Sequence, residues 1–252
     1  LRGGKGCWGE KGVKQWREVA FDSRKTGIHV HVGRIFDICV EKGSELDPFI
    51  PDGKGGTKPN PDRKFKGRAV FQGNNVHDEN FEVAMFQELS SSPATMEASK
   101  CADFYGLLPG NKTEQSDAEQ AYTQSELGGT PTWVRLPKEQ WPKEWIDKGF
   151  KDPVCPLILS LYGHPDSGGF WEMHCNEHLK KIGWEEVPDW RSCFWHPVHK
   201  AFLIVYVDDF KLSGPSEVLP QLWKEIRGDS KNPGTKMDDP TPVGKFLGCE
   251  HL

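Results

Sequence analysis

The chain has 252 residues with 36% hydrophobic content, ten Trp and fourteen Phe, enough for one large core or two small ones. Its longest apolar run, Ala201–Val207, is far short of the ~18–20 residues a membrane helix needs, so no membrane partner is expected. Seven cysteines without framework spacing suit free thiols in a reducing compartment, and the net charge of −5 combines an excess of positive charge over residues 1–72 with an excess of negative charge beyond them, which points to a polyanionic partner for the front of the chain.

The chain opens with Leu1-Arg2-Gly3-Gly4, without an initiator Met or signal segment, and is expected to be a fragment or an internal domain. Val13, Trp16, Val19 and Ala20 recur at helical spacing and predict an amphipathic helix over 10–21. Residues 28–40 alternate and are β-branched, so they predict one or two strands. The Gly-, Pro- and Asp-rich segment 43–63 is the best linker candidate. Strand character returns in Phe65–Phe71. Ser92 as N-cap and Pro93 as first helical residue predict a helix with Met96, Cys101, Ala102 and Tyr105 on one face, stopped by Leu107-Leu108-Pro109-Gly110.

A further helix is predicted from Asp166-Ser167, burying Trp171, Cys175, Leu179 and Ile182, with Gly183 as its C′ residue. Residues 201–212 predict two buried strands meeting at an Asp-Asp tip, and Leu222, Trp223 and Ile226 mark a last helix over Val218–Arg227. No internal repeat is present, and the mixture defines an α+β fold.

Asp208 and Asp209 directly follow the apolar run. Adjacent strand residues project to opposite faces unless a tight turn swings them together. Two like charges held close are costly unless a divalent cation offsets them; an Asp-rich hairpin turn without metal is the plain alternative. Asp117, far upstream in Ser116-Asp117-Ala118-Glu119-Gln120-Ala121-Tyr122, would complete an oxygen cage for two Mg²⁺ ions. Tyr122 would lie on a helix starting after Asp117, its ring able to pack beneath a sugar. His174, Cys175 and His178, with Cys193, His196 and His199, offer a competing zinc reading whose spacing fits no strong pattern.

Tyr206-Val207-Asp208-Asp209 together with Asp117 and Tyr122 resembles the reverse transcriptase of copia-type LTR retrotransposons. Lys66-Gly67-Arg68-Ala69-Val70, the segment Phe86 to Met96, Leu161-Tyr162-Gly163-His164-Pro165-Asp166-Ser167 followed by Trp171, and Lys245-Phe246-Leu247-Gly248 resemble further family blocks in the family's order, over about residues 64–252. The resemblance implies a fingers–palm polymerase with an antiparallel palm sheet backed by helices and a truncated thumb. It divides the chain into an unassigned extension and linker (1–63), a fingers-like segment (64–110) and a palm-like segment (111–252).

By the same resemblance Asp117, Asp208 and Asp209 would bind two Mg²⁺, with Mn²⁺ as a substitute, and Tyr122 would exclude ribonucleotides. Lys66 and Arg68 would grip the triphosphate, and Gly163 would let backbone approach the nucleotide or template. The implied partners are an RNA or DNA template-primer and dNTPs, with integrase and RNase H as further polyprotein domains, in an intracellular particle or the nucleus. Two departures stand out: Asp166 occupies the family's Gln position, and residues 111–116 are polar where an apolar strand leads into the first Asp. The alternative is an inactive remnant that binds nucleic acid at most, through residues 1–72.

Overall fold

The computed structural model describes residues 6–87, 89 and 93–251. It is a mixed α+β chain with several sheets that divides into two compact units. Unit 1 comprises residues up to Met85, Thr130–Leu157 and Leu161–His164; unit 2 comprises Phe86–Gly129, Ile158–Ser160 and Pro165 onward. Among the described residues no helix is long and apolar enough to cross a membrane.

In unit 1 a mixed sheet runs in the order Lys14–Gln15, Pro153–Pro156, Thr132–Arg135, His31–Lys42, Lys64–Phe71. Among the described strand pairs of this sheet, only that between His31–Arg34 and Thr132–Arg135 is parallel. The helix predicted over 10–21 instead spans Trp16–Thr26, after a short turn at Glu10–Gly12. The shift has a tertiary cause: Lys14 and Gln15 pair with Val154 and Pro153, which holds Gln15 extended just before the first helical turn. The helix buries Trp16, Val19 and Ala20 against Val30, Val32 and Val154.

The predicted strand at 28–40 is one long strand, His31–Lys42, paired antiparallel with Lys64–Phe71 from Ile35↔Phe71 to Lys42↔Lys64. Between the two, Phe49–Pro51 and Thr57–Pro59 form a small hairpin of their own.

Unit 2 is built on one antiparallel sheet. Its helices are α1 (Met96–Gly106), α2 (Ser167–Lys181) and α3 (Leu219–Arg227). Its strands are β1 (Asn111–Asp117), β2 (Glu185–Glu186), β3 (Cys193–His196), β4 (Ala201–Tyr206), β5 (Asp209–Pro215) and β6 (Thr241–Pro242), in the spatial order β2-β3-β4-β5-β1-β6. Side-chain alternation assigns the two faces. Leu203, Val205, Phe210 and Leu212 join Trp171, Cys175, Leu179, Leu222, Trp223 and Ile226 in one core. Phe202 and Ile204 join Ala98 and Ala102 in another.

Three local expectations change. The first unit 2 helix starts at Met96, not Pro93, because the Thr95 hydroxyl accepts from the Ala98 N–H and caps it; Ser92, the expected cap, lies outside the described residues. Residues 111–116, polar as they are, form a strand registered along β5. Their polar groups have partners: Thr113 with the Ser213 hydroxyl at 2.9 Å, Ser116 donating to the Asp238 carbonyl at 2.7 Å, and Glu114 accepting from the Trp223 indole at 2.8 Å. The helix expected directly after Asp117 is instead a turn, with Gln120 left-handed at φ 50° and a 3₁₀ segment Ala121–Gln124. Helices α2 and α3 and the hairpin β4–β5 lie where the sequence predicts them, and Gly183 follows α2 at φ 93°.

Candidate active site

The site in unit 2 is set by strand register. Tyr206 pairs with Asp209, so Val207 and Asp208 form a two-residue hairpin loop. On the other side of β5, Asp209 pairs with Asp117 at the end of β1. Asp117 and Asp209 are directly opposed on neighbouring strands and share a face of the sheet, with Asp208 in the adjoining loop.

Hairpin loops of this length favour Gly, Asn or Asp at φ > 0. Here Val207 occupies φ 59°, a costly conformation for a β-branched residue. Two hydrogen bonds hold it. The Trp171 indole N–H donates to the Val207 carbonyl at 2.7 Å, and the Ala118 N–H donates to the Asp208 carbonyl at 2.6 Å. Both loop carbonyls are thereby fixed, one from the core helix α2 and one from the strand end that carries Asp117. Neither pin was visible in the sequence; the one available signal was a Trp one helical turn into α2, which reads as core, and Trp171 is indeed buried.

The electrostatics follow from the register. Burial, the negative charges of Asp208 and Asp117, and a hydrogen bond with the Asp117 side chain push the Asp209 carboxyl up to about 6. Tyr122 lies half-buried at the edge of the α2 core, and its phenol is pushed up by burial and by the charge of Asp208. It also lines a small void of about 20 Å³ with Trp171, Val205 and Val207, room for about one water.

Three carboxylates are the hard oxygen donors that Mg²⁺ takes, and a carboxyl raised by its neighbours is what repulsion produces where no cation offsets it. By donor chemistry the residues fit a divalent cation. Their side chains are not preset around one: among the described residues no group of three or more His, Cys, Asp or Glu stands in a metal-binding arrangement.

Unit 1 holds the remaining candidates. Lys66 and Arg68 are exposed on one face of the strand Lys64–Phe71, where they meet Val40 and Ile38 across the pair. They line a hollow of about 340 Å³ with Lys42, Val70 and Tyr162, and the Arg68 guanidinium sits 5.9 Å from the Tyr162 ring centroid. Gly163 has φ 89°, and a Cβ there would lie 2.1 Å from the Phe71 carbonyl oxygen. The close approach this glycine permits is to its own unit, where the Phe71 N–H donates to the Tyr162 carbonyl at 2.8 Å. Asp166, the departure from the family pattern, is buried just ahead of α2.

The residues of the zinc reading are used otherwise. Cys175 is fully buried, its thiol pushed up to about 12 by burial, and Cys193 is likewise buried and raised to about 11. His178 donates to the Ile226 carbonyl at 2.8 Å, His174 lies beside the Trp171 ring at 6.0 Å, and His196 stacks edge-on with Trp184 at 5.1 Å and against His199 at 4.7 Å.

No protein-family model matches the chain, and no curated protein matches it. Among solved structures, it is similar to telomerase from Candida albicans in complex with a fragment of telomeric RNA, at 11% identity and a TM-score of 0.37. The match covers 92% of this chain, which spans about 45% of that one. A likeness this weak leaves function to be argued from the side chains themselves.

Proposed function

We propose that the chain is the fingers–palm part of an RNA-directed DNA polymerase of the copia retrotransposon type, with the sheet of unit 2 as palm and unit 1 as fingers. One observation carries the reading: the β1–β5 register opposes Asp117 and Asp209 beside a strained hairpin loop that contributes Asp208. The reaction is attack of a primer 3′-hydroxyl on the α-phosphorus of a dNTP, forming a phosphodiester bond and releasing pyrophosphate.

Asp117, Asp208 and Asp209 would hold two Mg²⁺, or Mn²⁺. Bound there, the metal pair supplies an activated hydroxyl and neutralises charge on the leaving group. The Tyr122 ring lies under the sugar and excludes a 2′-hydroxyl, while Lys66 and Arg68 neutralise the triphosphate. Catalysis is positioning plus electrostatic stabilisation. Template-primer and dNTPs are the partners, and integrase and RNase H the companion domains of an intracellular polyprotein.

A second reading, an inactive remnant, draws on the lack of a preset three-ligand arrangement among the described side chains and on the acidic balance of unit 2, where 12 Lys and Arg stand against 20 Asp and Glu among described residues. Primer extension on an RNA template with Mg²⁺ or Mn²⁺ separates the two. The polymerase reading expects extension by the chain and a loss of at least about 10³-fold in Asp208→Asn. A folded chain that extends nothing, or an Asp208→Asn variant that extends normally, overturns it.

A further inference from the structure

The strand Lys64–Phe71 ends the sheet of unit 1. It pairs with His31–Lys42 on one side, and among the described residues no strand lies on the other. Two hydrogen bonds give the direction of its backbone groups. The Gln72 N–H donates inward, to the Arg34 carbonyl at 2.8 Å, whereas the Phe71 N–H donates to the Tyr162 carbonyl at 2.8 Å, on the outer side. The register runs unbroken from Ile35↔Phe71 to Lys42↔Lys64, and backbone groups alternate in direction along a strand. The outward set is therefore Phe65, Gly67, Ala69 and Phe71. Tyr162 takes the last of these; the other three face outward along an open edge.

The side chains of this edge are sorted by face. Lys64, Lys66 and Arg68 are exposed on one face, with Lys42 beside Lys64 on the neighbouring strand. Phe65, Gly67 and Ala69 occupy the other, and Phe65 is 75% exposed. A Cβ built on Gly67 meets nothing within 4 Å, so packing within the chain does not call for glycine there. Glycine weakens a strand interior, and it suits a place where another backbone comes close. Cations on an edge strand also guard it against copies of itself, since like charges on neighbouring strands repel. The complement of this edge is an acidic strand. A nucleic acid offers phosphates to the cations but no regular row of N–H donors to the outward carbonyls, whereas an extended peptide matches both.

We propose that the outer edge of Lys64–Phe71 binds an extended acidic peptide of a partner protein by strand addition. The peptide main chain pairs with the outward groups of Phe65, Gly67 and Ala69. Alternate Asp or Glu side chains lie beside Lys64, Lys66 and Arg68, and the apolar residues between them lie beside Phe65, Gly67 and Ala69. Main-chain hydrogen bonds give such a complex its affinity, and alternate side chains give its specificity. The proposal involves neither the carboxylates nor a metal, so it stands whether or not the chain is a polymerase. Under the polymerase reading Lys66 and Arg68 also meet the triphosphate, so dNTPs are left out of the test.

The test is fluorescence anisotropy of the full chain with a fluorescein-labelled peptide, Glu-Val-Glu-Val-Glu-Val-Glu. Saturable binding is expected, and the same peptide with Lys in place of Glu should not bind. Only alternate N–H groups of an added strand face the edge. Of two versions, N-methylated at every Val or at every Glu, one should therefore lose binding and the other keep it. Lys64→Glu with Arg68→Glu should reverse the preference, taking the Lys peptide and refusing the Glu peptide. Gly67→Pro removes one outward N–H and leaves the inner ladder intact, and should weaken binding by at least about tenfold. A melting curve shows whether that variant folds; the N-methylated peptides decide the matter on the parent chain in any case. The proposal is overturned if the acidic peptide does not bind, including the case where a single-stranded oligonucleotide binds in its stead. It is overturned equally if both N-methylated versions bind like the unmodified peptide, or if the charge-reversed variant keeps its preference for Glu.

Discussion

The two units place their candidate residues by opposite means. In unit 2, Asp117, Asp208 and Asp209 are fixed by strand register and by hydrogen bonds from Trp171 and Ala118 to the loop backbone. In unit 1, Lys66 and Arg68 are displayed on an exposed strand surface. The contrast extends to charge. Among described residues unit 1 carries 18 Lys and Arg against 16 Asp and Glu, and unit 2 carries 12 against 20. Unit 2 thus carries a clear negative balance, whereas in unit 1 cations slightly outnumber acids.

The strongest way to break this contrast is to attack the buried polar group of unit 2. Lys211 is fully buried on β5, paired with Asp103 and bonded to the Ser99 hydroxyl and His251, with its ammonium 5.1 Å from the Phe246 ring centroid. Asp103→Asn should cost about 3–5 kcal/mol, because it leaves a buried cation without its counter-charge. Lys211→Met removes the cation as well and should stay within about 1 kcal/mol of the parent. Urea denaturation midpoints of the two variants test the difference.

Next in size is pH, which acts on the two units with opposite sign. Burial, aided by His31, holds His164 of unit 1 down at about 4. The unfolded chain takes up that proton first, so stability should fall as pH drops from 6.5 to 4, by on the order of 3 kcal/mol. Asp209 of unit 2 is raised to about 6 from 3.8. The native state holds that proton longer, so its contribution is present at low pH and is lost as pH rises through 6; allowing for its partial exposure, it amounts to about 1–2 kcal/mol. Both slopes fall between about pH 4 and 6.5, so denaturation in EDTA across that range reads their sum: His164→Asn should abolish the acid-side loss, and Asp209→Asn should steepen it.

The smallest effects sharpen the hairpin itself. Val207→Gly relieves the left-handed strain and should stabilise the fold by up to about 1 kcal/mol. Trp171→Phe removes the donor to the Val207 carbonyl together with part of a buried indole, and should cost more than the ~1 kcal/mol of one hydrogen bond. Thermal melts read both. If Val207 carried no strain, Val207→Gly would lower the melt instead.

How far the sequence disclosed this arrangement depended on the range of the forces involved. The β4–β5 hairpin and the helices α2 and α3 were legible because apolar periodicity and local stop signals agree there. Strand β1 was not, because its polar side chains find partners on Ser213, Trp223 and Asp238, about a hundred residues or more along the chain. The start of the first helix was missed for the same reason: Lys14 and Gln15 pair with a distant strand. For the site, acid identity and adjacency were visible, and the opposition of Asp117 to Asp209 was inferable only through resemblance. The left-handed Val207 and the hydrogen bonds to the Val207 and Asp208 carbonyls left no local trace, since an apolar residue at such a position runs against local preference.

The convergence of the three acids is most directly tested by Mn²⁺ titration of the full chain followed by electron paramagnetic resonance, comparing the parent with Asp117→Asn and Asp209→Asn. Convergence predicts saturable binding by the parent that is strongly weakened in both variants, although β1 and β5 hold these residues from distant parts of the sequence. Binding that is absent from the folded parent, or that survives both substitutions undiminished, would contradict it.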